Sequence, residues 1–347
     1  MTVLEKQLPR WKRLLEKQKL QLAVLGGGSW GTALVKVLTD NGYATHWYIR
    51  NEVDRVHIEK HRHHPRYLSS TRLKIRKIHL DTNILEVVEK ADVLIIAIPS
   101  AFVEEALKQL PKTLLAEKIV FTAVKGVVPE SMFTLGEHLN KNYNLPLNQI
   151  GVIAGPSHAE EVALERLSYL TIACMERPIA AQLAKMMKNH YIRTKVSNDI
   201  IGTEYAAMLK NIYAVAAGVA HGLNYGDNFQ SVLMSNAIRE MKRFIKDVYK
   251  MKRNINNSAY LGDLLVTGYS TFSRNRSLGT MIGKGYAVKT ALMEMNMIAE
   301  GYYATQMAVL INKKYRTRIP IIKAMHQILY EGKSARKVMH RLTKKLD

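Results

Sequence analysis

The feature that most constrains the fold of this chain is a glycine-rich turn between an apolar run and an amphipathic stretch. The run Leu22-Ala23-Val24-Leu25 predicts a buried strand, and Gly26-Gly27-Gly28-Ser29-Trp30-Gly31 follows it directly. Apolar residues then recur at helical spacing from Thr32 to Asn41, and Asn41-Gly42 predicts the end of a helix. A strand, a tight glycine turn and a helix in this order are typical of the first unit of a doubly wound α/β sheet.

The spacing of the glycines also predicts a ligand. Gly26 allows the tight turn, Gly28 lets backbone N–H groups approach a pyrophosphate, and Gly31 lets the helix pack close to the sheet. The positive end of the helix then lies at the phosphates. We therefore predict a dinucleotide site at this turn; the alternative is a glycine-rich turn that binds nothing.

Predicted strands and helices alternate through the first half of the chain, which predicts an α/β fold with a Rossmann-type doubly wound sheet. From about residue 203 the pattern changes to long helical segments rich in Ala, Met and Leu. The further strands are predicted at 44–49, 73–78, 93–98, 119–123 and 150–154, with helices at 84–90 and 102–110. The domains are predicted as a basic N-terminal extension over 1–20, a dinucleotide-binding Rossmann domain over 21–196, and an all-α C-terminal domain with the substrate and catalytic residues over 197–347.

The formal net charge of the 347-residue chain is +22, which indicates anionic partners such as phosphorylated metabolites, nucleic acid or acidic headgroups.

No apolar run reaches the roughly 18 residues of a membrane span, and we find no secretory signal, so we expect a cytoplasmic location without integral membrane association. The single cysteine, Cys174, excludes an internal disulfide, and its apolar surroundings predict a buried, inert thiol. The long apolar helices of the second domain favour a homodimer.

The residue that ends the second predicted strand bears on the form of the dinucleotide. An acidic residue there would bind the ribose 2′-OH of NAD, whereas an arginine suits the 2′-phosphate of NADP. The chain has Arg50 at this point, followed by Asn51 and Glu52. Arg50 favours NADP, and Glu52 leaves NAD open.

A single lysine stands in a long apolar helical stretch. Lys210 is the only charged residue between Tyr205 and Ala217. A partly desolvated lysine has a pKa lowered toward neutrality, as a general acid/base for an alcohol or carbonyl requires. A lysine that extends from a core helix to solvent explains the pattern equally well.

Two further polar groups stand out in the second half. Asp263 lies between apolar residues, where it could orient Lys210, accept a substrate hydroxyl, or only cap a helix. The run Ser273-Arg274-Asn275-Arg276 supplies a hydroxyl, guanidinium groups and an amide that suit a phosphate, although a polar loop would have the same composition.

Two strand ends of the first half belong with these groups. Lys125 follows the strand predicted at 119–123, and Gly155-Pro156-Ser157 follows the strand at 150–154. Ligands of doubly wound sheets bind at the carboxyl ends of the strands. These two segments are therefore predicted to contribute to a ligand site.

Taken together in chain order, these segments resemble bacterial NAD(P)-dependent glycerol-3-phosphate dehydrogenase over about residues 22–343. The resemblance implies the interconversion of sn-glycerol 3-phosphate and dihydroxyacetone phosphate, which supplies the backbone of glycerophospholipids. Its motifs are Gly26-Gly27-Gly28-Ser29-Trp30-Gly31, Ile98-Pro99-Ser100, Val124-Lys125-Gly126, Gly155-Pro156-Ser157, Leu209-Lys210-Asn211, Leu261-Gly262-Asp263-Leu264 and Ser273-Arg274-Asn275-Arg276.

The resemblance also implies residue roles. Lys210 matches the proton acceptor of the family, with Lys125 and Asp263 beside the reacting oxygen. The matching substrate contacts include these three residues together with Gly155, Ser157, Ser273, Arg274 and Asn275. The matching cofactor contacts are Ser29, Trp30, Arg50, Lys125, Ala159, Arg274, Ile298 and Glu300, beside the glycines Gly26, Gly28 and Gly31.

The sequence departs from the family pattern at two points. Gly27 stands where alanine is commoner, and Val124 stands where threonine is usual, which removes a hydroxyl near the predicted site. The residues 1–20 and the high positive charge have no counterpart in the family pattern.

Two rival functions remain. The first is a related 3-hydroxyacid or sugar-acid dehydrogenase, against which the run 273–276 argues. The second is a non-catalytic anion- or nucleic-acid-binding protein on the same fold, prompted by the charge. Because all site positions are retained, we expect a small phosphorylated substrate and no nucleic acid.

A cluster of histidines could suggest a metal. His57 and His61 are one helical turn apart, and His63 and His64 follow. Since no carboxylate or cysteine accompanies them at ligand spacing, and Pro65 predicts a surface loop, no metal site is predicted.

Overall fold

The chain is described from a computed structural model, which covers residues 12–13, 20–295 and 298–347. It divides into two compact units, one of Met1–Val124 with Leu135–Ile200 and one of Lys125–Thr134 with Ile201–Asp347. The predicted extension over 1–20 therefore lies outside the described residues, apart from residues 12, 13 and 20. The units differ from the proposed domains in two ways: they divide at residue 200 instead of 196, and residues 125–134 join the second unit.

An eight-stranded sheet forms the centre of the first unit. Six strands run parallel in the spatial order β3-β2-β1-β4-β5-β8, which is the doubly wound order and confirms the predicted fold class. β9 pairs antiparallel with β8, and β10 continues parallel to β9. The strands are β1 Leu22–Leu25, β2 Thr45–Tyr48, β3 Ile78–Asp81, β4 Val93–Ile96, β5 Ile119–Thr122, β8 Ile150–Ala154, β9 Ser168–Cys174 and β10 Ile192–Ser197.

The strand predicted at 73–78 is wrong. Residues Ile75–Lys77 form a short 3₁₀ turn, and the strand occupies Ile78–Asp81 instead. β3 is an edge strand that pairs only with β2, so it needs apolar residues on one face alone. The alternation of Ile78 and Leu80 with polar residues is the pattern that such a strand requires.

Helices flank this sheet, and two of them lie where the chain leaves strands β1 and β2. The helices of the unit are α1 Ser29–Asp40, α2 Glu52–His61, α3 Ile84–Glu89, α4 Ser100–Leu107, α5 Lys112–Ala116, α6 Leu135–Tyr143, α7 Ala159–Ala163 and α8 Arg177–Met187.

Cys174, at the end of β9, is buried as predicted, and burial raises the pKa of its thiol to about 11.

In the described residues of the second unit, the regular structure is helical apart from a short hairpin of β6 (Val127–Val128) and β7 (Phe133–Thr134). Its core lies around one long buried helix, α9, in which every residue from 202 to 220 is buried. Across the described ranges, no helix has the length and apolarity to cross a bilayer. The helices are α9 Ile200–Gly222, α10 Asp227–Val248, α11 Asp263–Tyr269, α12 Arg274–Gly283, α13 Val288–Met293, α14 Glu300–Tyr315, α15 Pro320–Leu329 and α16 Ala335–Thr343.

A buried carboxylate joins two of these helices. Glu240 of α10 is fully buried and accepts hydrogen bonds from the backbone N–H groups of Ile321 and Ile322, at 2.9 and 3.0 Å. These donors belong to the first turn of α15, where a helix has no partners of its own. Burial nevertheless outweighs the two bonds and raises the pKa of Glu240 from 4.5 to about 7.

We expect Glu240 to make stability fall with pH. Because its pKa is about 7 in the folded protein and about 4.5 unfolded, the folded state retains the proton over this range while the unfolded state releases it. The free energy of unfolding should decrease by up to about 3 kcal/mol between these pH values. Urea melts at several pH values would measure this, and Glu240→Gln should lack this component of the slope. Parallel curves for the two proteins would contradict the assignment.

Candidate functional site

The glycine turn after β1 has the close contacts that its sequence predicts. Gly26 has φ +126°, and a Cβ there would lie 2.8 Å from the carbonyl oxygen of Ala97. A Cβ on Gly31 would lie 2.1 Å from the carbonyl oxygen of Gly26. At Gly28, by contrast, a Cβ would meet no atom within 4 Å. Packing thus requires glycine at positions 26 and 31, whereas Gly28 faces open space.

Gly27 departs from the family pattern for a local reason. An alanine Cβ at this position would lie 2.9 Å from Cγ2 of Ile49, which is closer than real Cβ contacts. Ile49 is fully buried and branched at Cβ, so its methyl group has little room to move. The side chain at 49 therefore explains why glycine stands here.

A cavity of about 260 Å³ opens beside the glycine turn, within the first unit. Arg50 lies at its wall directly after β2, and the side chain of Asn51 caps α2 by accepting from the N–H groups of Val53 and Asp54. The lining comprises Gly26, Gly27, Gly28, Tyr48, Ile49, Arg50, Asn51, Asp54, Arg66, Tyr67, Ile98, Pro99, Phe102, Glu105, Ala106 and Gln109.

Arg50 and Glu52, which left the choice between NADP and NAD open in the sequence, differ in their position relative to this cavity. Glu52 is absent from the cavity lining and pairs with Arg55 on the surface of α2. Arg50 lines the cavity and is joined there by Arg66, whose guanidinium pairs with the buried carboxylate of Asp54. Sequence reasoning missed Arg66, because its position in a loop sixteen residues after Arg50 follows no periodic pattern.

The turn and the cavity fit a dinucleotide. α1 has no side-chain cap and no acidic residue in its first turn, so its N–H groups can donate to phosphate oxygens. The open space at Gly28 lies at the same helix end, where a larger residue would obstruct a pyrophosphate. Ser29 and Trp30, which the resemblance assigns to the cofactor, are the first two residues of this helix.

In the second unit, Lys210 and Asp263 form a buried ion pair. Nζ of Lys210 donates to Oδ1 of Asp263, and the two side chains are 3% and 1% exposed. Lys210 therefore does not extend to solvent. Asp263 begins α11 directly after a π-helical turn, Ser258–Gly262, and its side chain caps no helix. Both structural alternatives left open by the sequence are thus wrong.

The second carboxylate oxygen of Asp263 can still accept a hydrogen bond. Oδ2 of Asp263 is buried and has no hydrogen-bond partner within residues 12–13, 20–295 and 298–347. A buried acceptor without a partner costs free energy of about 1–3 kcal/mol. It is therefore available to a ligand hydroxyl or to a proton.

Lys125 lies close to the Lys210–Asp263 pair, since the charges of both residues act on its amine. Burial and, after it, repulsion by Lys210 lower the pKa of Lys125 to about 7, against the attraction of Asp263. Lys125 therefore has the lowered amine pKa that general acid/base chemistry requires. An amine that titrates near neutrality can both polarise an oxygen as a cation and exchange a proton.

Amide side chains fix the backbone around this group. Nδ2 of Asn211, next to Lys210, donates to the carbonyl oxygen of Lys125 at 2.9 Å. Oδ1 of Asn275 accepts from the N–H of Gly301 at 2.8 Å. A Cβ on Gly301 would lie 2.6 Å from the carbonyl oxygen of Asn211, so α9, α12 and α14 meet closely here. Sequence reasoning gave Asn211 and Gly301 no role, although both adjoin residues that it singled out.

The run 273–276 is a helix start and not a polar loop. Ser273 is the N-cap of α12 and its Oγ accepts from the N–H of Arg276 at 3.3 Å. Asn275 is buried, whereas the side chain of Arg274 is exposed at the beginning of the helix. Arg274 also contributes to the lowered pKa of Lys125, which places its charge near that amine.

The remaining predicted contacts lie in both units. In the first unit, Gly155 has φ +115°, the buried Oγ of Ser157 donates to the carbonyl oxygen of Gly155 at 2.9 Å, and Ala159 begins α7. In the second, Ile298 precedes α14 and Glu300 is its first residue. The ligand roles of these five residues remain predictions.

The histidine cluster has no acidic partner in a metal-binding arrangement. The rings of His57 and His61 lie 4.4 Å apart and those of His57 and His63 4.9 Å apart. In the described part of the chain, no three or more His, Cys, Asp or Glu side chains are grouped so that they could hold a metal ion.

A doubly wound sheet with an open pyrophosphate turn, followed by a helical unit with a buried lysine–aspartate pair, defines the class of nicotinamide-dependent dehydrogenases. Two family models identify the particular member of this class. The model of the NAD-dependent glycerol-3-phosphate dehydrogenase N-terminus matches residues 21–180, and that of the C-terminus matches residues 199–340. The chain therefore belongs to the NAD-dependent glycerol-3-phosphate dehydrogenase family.

Individual relatives agree with this assignment. The chain is 36% identical over 321 residues to glycerol-3-phosphate dehydrogenase (NAD(P)+) of Bacillus subtilis, covering 90% of each chain. It is 34% identical over 315 residues to the enzyme of the same name from Exiguobacterium, covering 90% of this chain and 92% of the relative. A crystal structure of glycerol-3-phosphate dehydrogenase from Coxiella burnetii superposes with a TM-score of 0.87 at 27% identity, over 94% of this chain and 99% of that one.

Proposed function

We propose that this chain is an oxidoreductase that interconverts dihydroxyacetone phosphate and sn-glycerol 3-phosphate with NAD or NADP. The observation that carries the proposal is the buried Lys210–Asp263 pair with Lys125 beside it, because it provides a proton donor, an orienting carboxylate and a second amine that titrates near neutrality. The family relationship supports the same reaction and not the hydroxyacid alternative.

The dinucleotide would be held at the glycine turn by the N–H groups of α1 and by Ser29, Trp30 and Arg50. When bound, its nicotinamide supplies the hydride in the reduction and accepts it in the oxidation. Ala159, Lys125, Arg274, Ile298 and Glu300 complete the contacts carried over from the family.

The protein's own part is the movement of a proton at the C2 oxygen. In the reduction, Nζ of Lys210 as an ammonium donates its proton to this oxygen as negative charge develops there, and in the oxidation the neutral amine accepts it. Asp263 orients Lys210 through Oδ1, and its Oδ2 can accept a substrate hydroxyl. Lys125, in its charged form, polarises the same C2 oxygen.

The phosphate of the substrate would be held by the start of α12. The guanidinium of Arg274 can bind it bidentately, and the bond from Gly301 to Oδ1 of Asn275 orients the amide so that Nδ2 can donate. Ser273, Gly155 and Ser157 are the further substrate contacts proposed from the family pattern. Binding energy at this remote phosphate orients C2 for reaction.

A substrate comparison tests this function. We expect rapid oxidation of reduced nicotinamide with dihydroxyacetone phosphate, and a kcat/KM lower by about 10²- to 10⁴-fold with unphosphorylated dihydroxyacetone, since two charge-assisted hydrogen bonds of about 1.5–3 kcal/mol each are lost. A preference for a 3-hydroxyacid or its keto form would instead support the rival dehydrogenase class.

The arginines of the cavity favour NADP over NAD. Arg50→Ala should raise the KM for NADPH by about 10- to 100-fold and leave the KM for NADH nearly unchanged, because a charge-assisted hydrogen bond contributes about 1.5–3 kcal/mol. Initial rates with both cofactors measure this, and Arg55→Ala on the adjacent helix is the matched control, since Arg55 pairs with Glu52 outside the cavity. Equal changes for both cofactors would contradict the role.

We further propose a cytoplasmic homodimer whose product feeds glycerophospholipid synthesis. The location is kept as the expectation stated from the sequence, and the dimer is inferred from the length and apolarity of the helices in the second unit. Glycerol 3-phosphate is the backbone on which such lipids are assembled.

A further inference from the structure

The second unit has a strongly basic surface that the reaction does not use. The sequence 201–347 contains 23 Lys and Arg against nine Asp and Glu. Six exposed cations lie on or next to two packed helices, and we call them the basic face: Lys242, Arg243 and Lys246 of α10, Arg316 and Arg318 before α15, and Lys323 of α15.

Hydrogen bonds connect the elements that carry this face. Arg243 donates to the carbonyl oxygen of Arg318 at 3.5 Å, and Thr317 donates to Asp247 of α10 at 2.7 Å. The bonds from Ile321 and Ile322 to Glu240 fix the beginning of α15 against α10. The loop and α15 are therefore bonded to α10, and together these elements carry the six cations.

Little within the protein offsets these charges. None of the six cations forms an ion pair with a carboxylate among the described residues. Of the two carboxylates of α10 beside them, Glu240 is buried, and the exposed Asp247, which accepts from Thr317, offsets one of the six charges. Lys242 and Lys246 are one helical turn apart, where like charges repel and destabilise the helix. A concentration of positive charge that the fold does not need indicates an anionic partner.

The chemistry of the face favours a membrane over a nucleic acid. Between residues 242 and 246 and between 316 and 323 the one aromatic residue, Phe244, is fully buried. The exposed ring of Tyr249 follows only after the end of α10, so the face presents many cations and few rings on which bases could stack. Exposed lysines and arginines on a helix surface are the usual elements that bind acidic lipid headgroups. The choice also rests on the proposed function, since the product is the backbone of membrane lipids.

We propose that the basic face binds the surface of membranes containing acidic phospholipids, without insertion, and so releases the product close to the bilayer. Each Lys or Arg near an acidic surface increases the affinity several-fold, and salt screens the interaction. The site recognises charge and not a particular headgroup.

Co-sedimentation with vesicles tests the proposal. The full chain should sediment with vesicles of phosphatidylcholine and phosphatidylglycerol, should not sediment with phosphatidylcholine alone, and should be released by salt. The triple variant Lys242→Glu, Lys246→Glu, Lys323→Glu should lose binding by about 100-fold or more. The control Arg72→Glu, Lys185→Glu, Lys188→Glu changes the net charge equally at exposed positions of the first unit and should retain it.

Three results would overturn the proposal. The first is no binding to the acidic vesicles, and the second is an equal loss of vesicle binding in both triple variants. The third is binding to duplex DNA instead of vesicles, provided that the triple variant of the basic face abolishes this DNA binding. Dehydrogenase activity is measured on the same preparations. Both triple variants should keep the wild-type kcat, because none of these residues belongs to the proposed active site. Absence of activity in all three proteins would refute the proposed function and leave the vesicle result to stand alone.

Discussion

Replacing Lys210 with alanine should lower kcat by about 10²- to 10⁴-fold in both directions, with the Kd for the dinucleotide little changed. The variant lacks the ammonium that donates to the developing C2 alkoxide, and proton transfer from Lys125 or from water would account for the rate that remains. Binding of the dinucleotide depends on the glycine turn of the first unit, which the substitution does not touch. Steady-state rates and a fluorescence titration of the reduced cofactor measure the two quantities separately.

Loss of the fold must be distinguished from loss of the proton donor. Lys210→Ala leaves Asp263 as a buried carboxylate without its partner, which is expected to cost about 3–5 kcal/mol of stability. The double variant Lys210→Ala, Asp263→Asn removes both charges and should recover much of that stability without recovering activity. Lys242→Ala, an exposed lysine of α10, is the control and should leave both unchanged. Full activity in a folded Lys210→Ala protein would remove Lys210 from the mechanism.

Two glycines of the same turn should respond in opposite ways to alanine. Gly31→Ala places a Cβ 2.1 Å from the backbone oxygen of Gly26, so α1 must move away from the sheet. The melting temperature should fall by roughly 5–10 °C. Gly28 has φ −75° and open space at its Cβ, so Gly28→Ala should change the melting temperature by no more than about 2 °C.

For binding of the dinucleotide, Gly28→Ala should be the more damaging of the two substitutions, although it hardly affects stability. The added methyl group at position 28 would occupy the space through which a pyrophosphate approaches the backbone, so Gly28→Ala should raise the Kd for NADPH by about 10- to 100-fold. Calorimetric titration and thermal melts of both variants measure the contrast, and Gly226→Ala, with open space at its Cβ, is the control. An unchanged Kd in Gly28→Ala would show that the dinucleotide binds elsewhere.

The sequence predicted the βα units well where their apolar runs are continuous. β4 and β8 are buried on both faces, so their sequences leave little doubt about strand or burial. It failed at β3 and did not predict β10, because edge strands carry polar residues on their exposed face and resemble basic loops. Local patterns also could not reveal that β9 turns antiparallel to β8, since direction is a property of long-range pairing.

The candidate site was predictable in its residues and not in its contacts. A lone charge in an apolar helix indicated Lys210, but only the fold brings Asp263, 53 positions later, to its Nζ. Burial and, after it, the charge of Lys210 lower the pKa of Lys125, and no sequence spacing encodes either. Asn211 and Gly301 hold the backbone around the reacting groups, and their importance follows from packing that a single sequence does not record.

The most direct test of the central claim is the absorbance of reduced nicotinamide when the purified chain is mixed with dihydroxyacetone phosphate. The proposed function predicts rapid oxidation of NADPH, slower oxidation of NADH, and formation of sn-glycerol 3-phosphate in equal amount. No oxidation of either cofactor by a folded protein that binds them would contradict it.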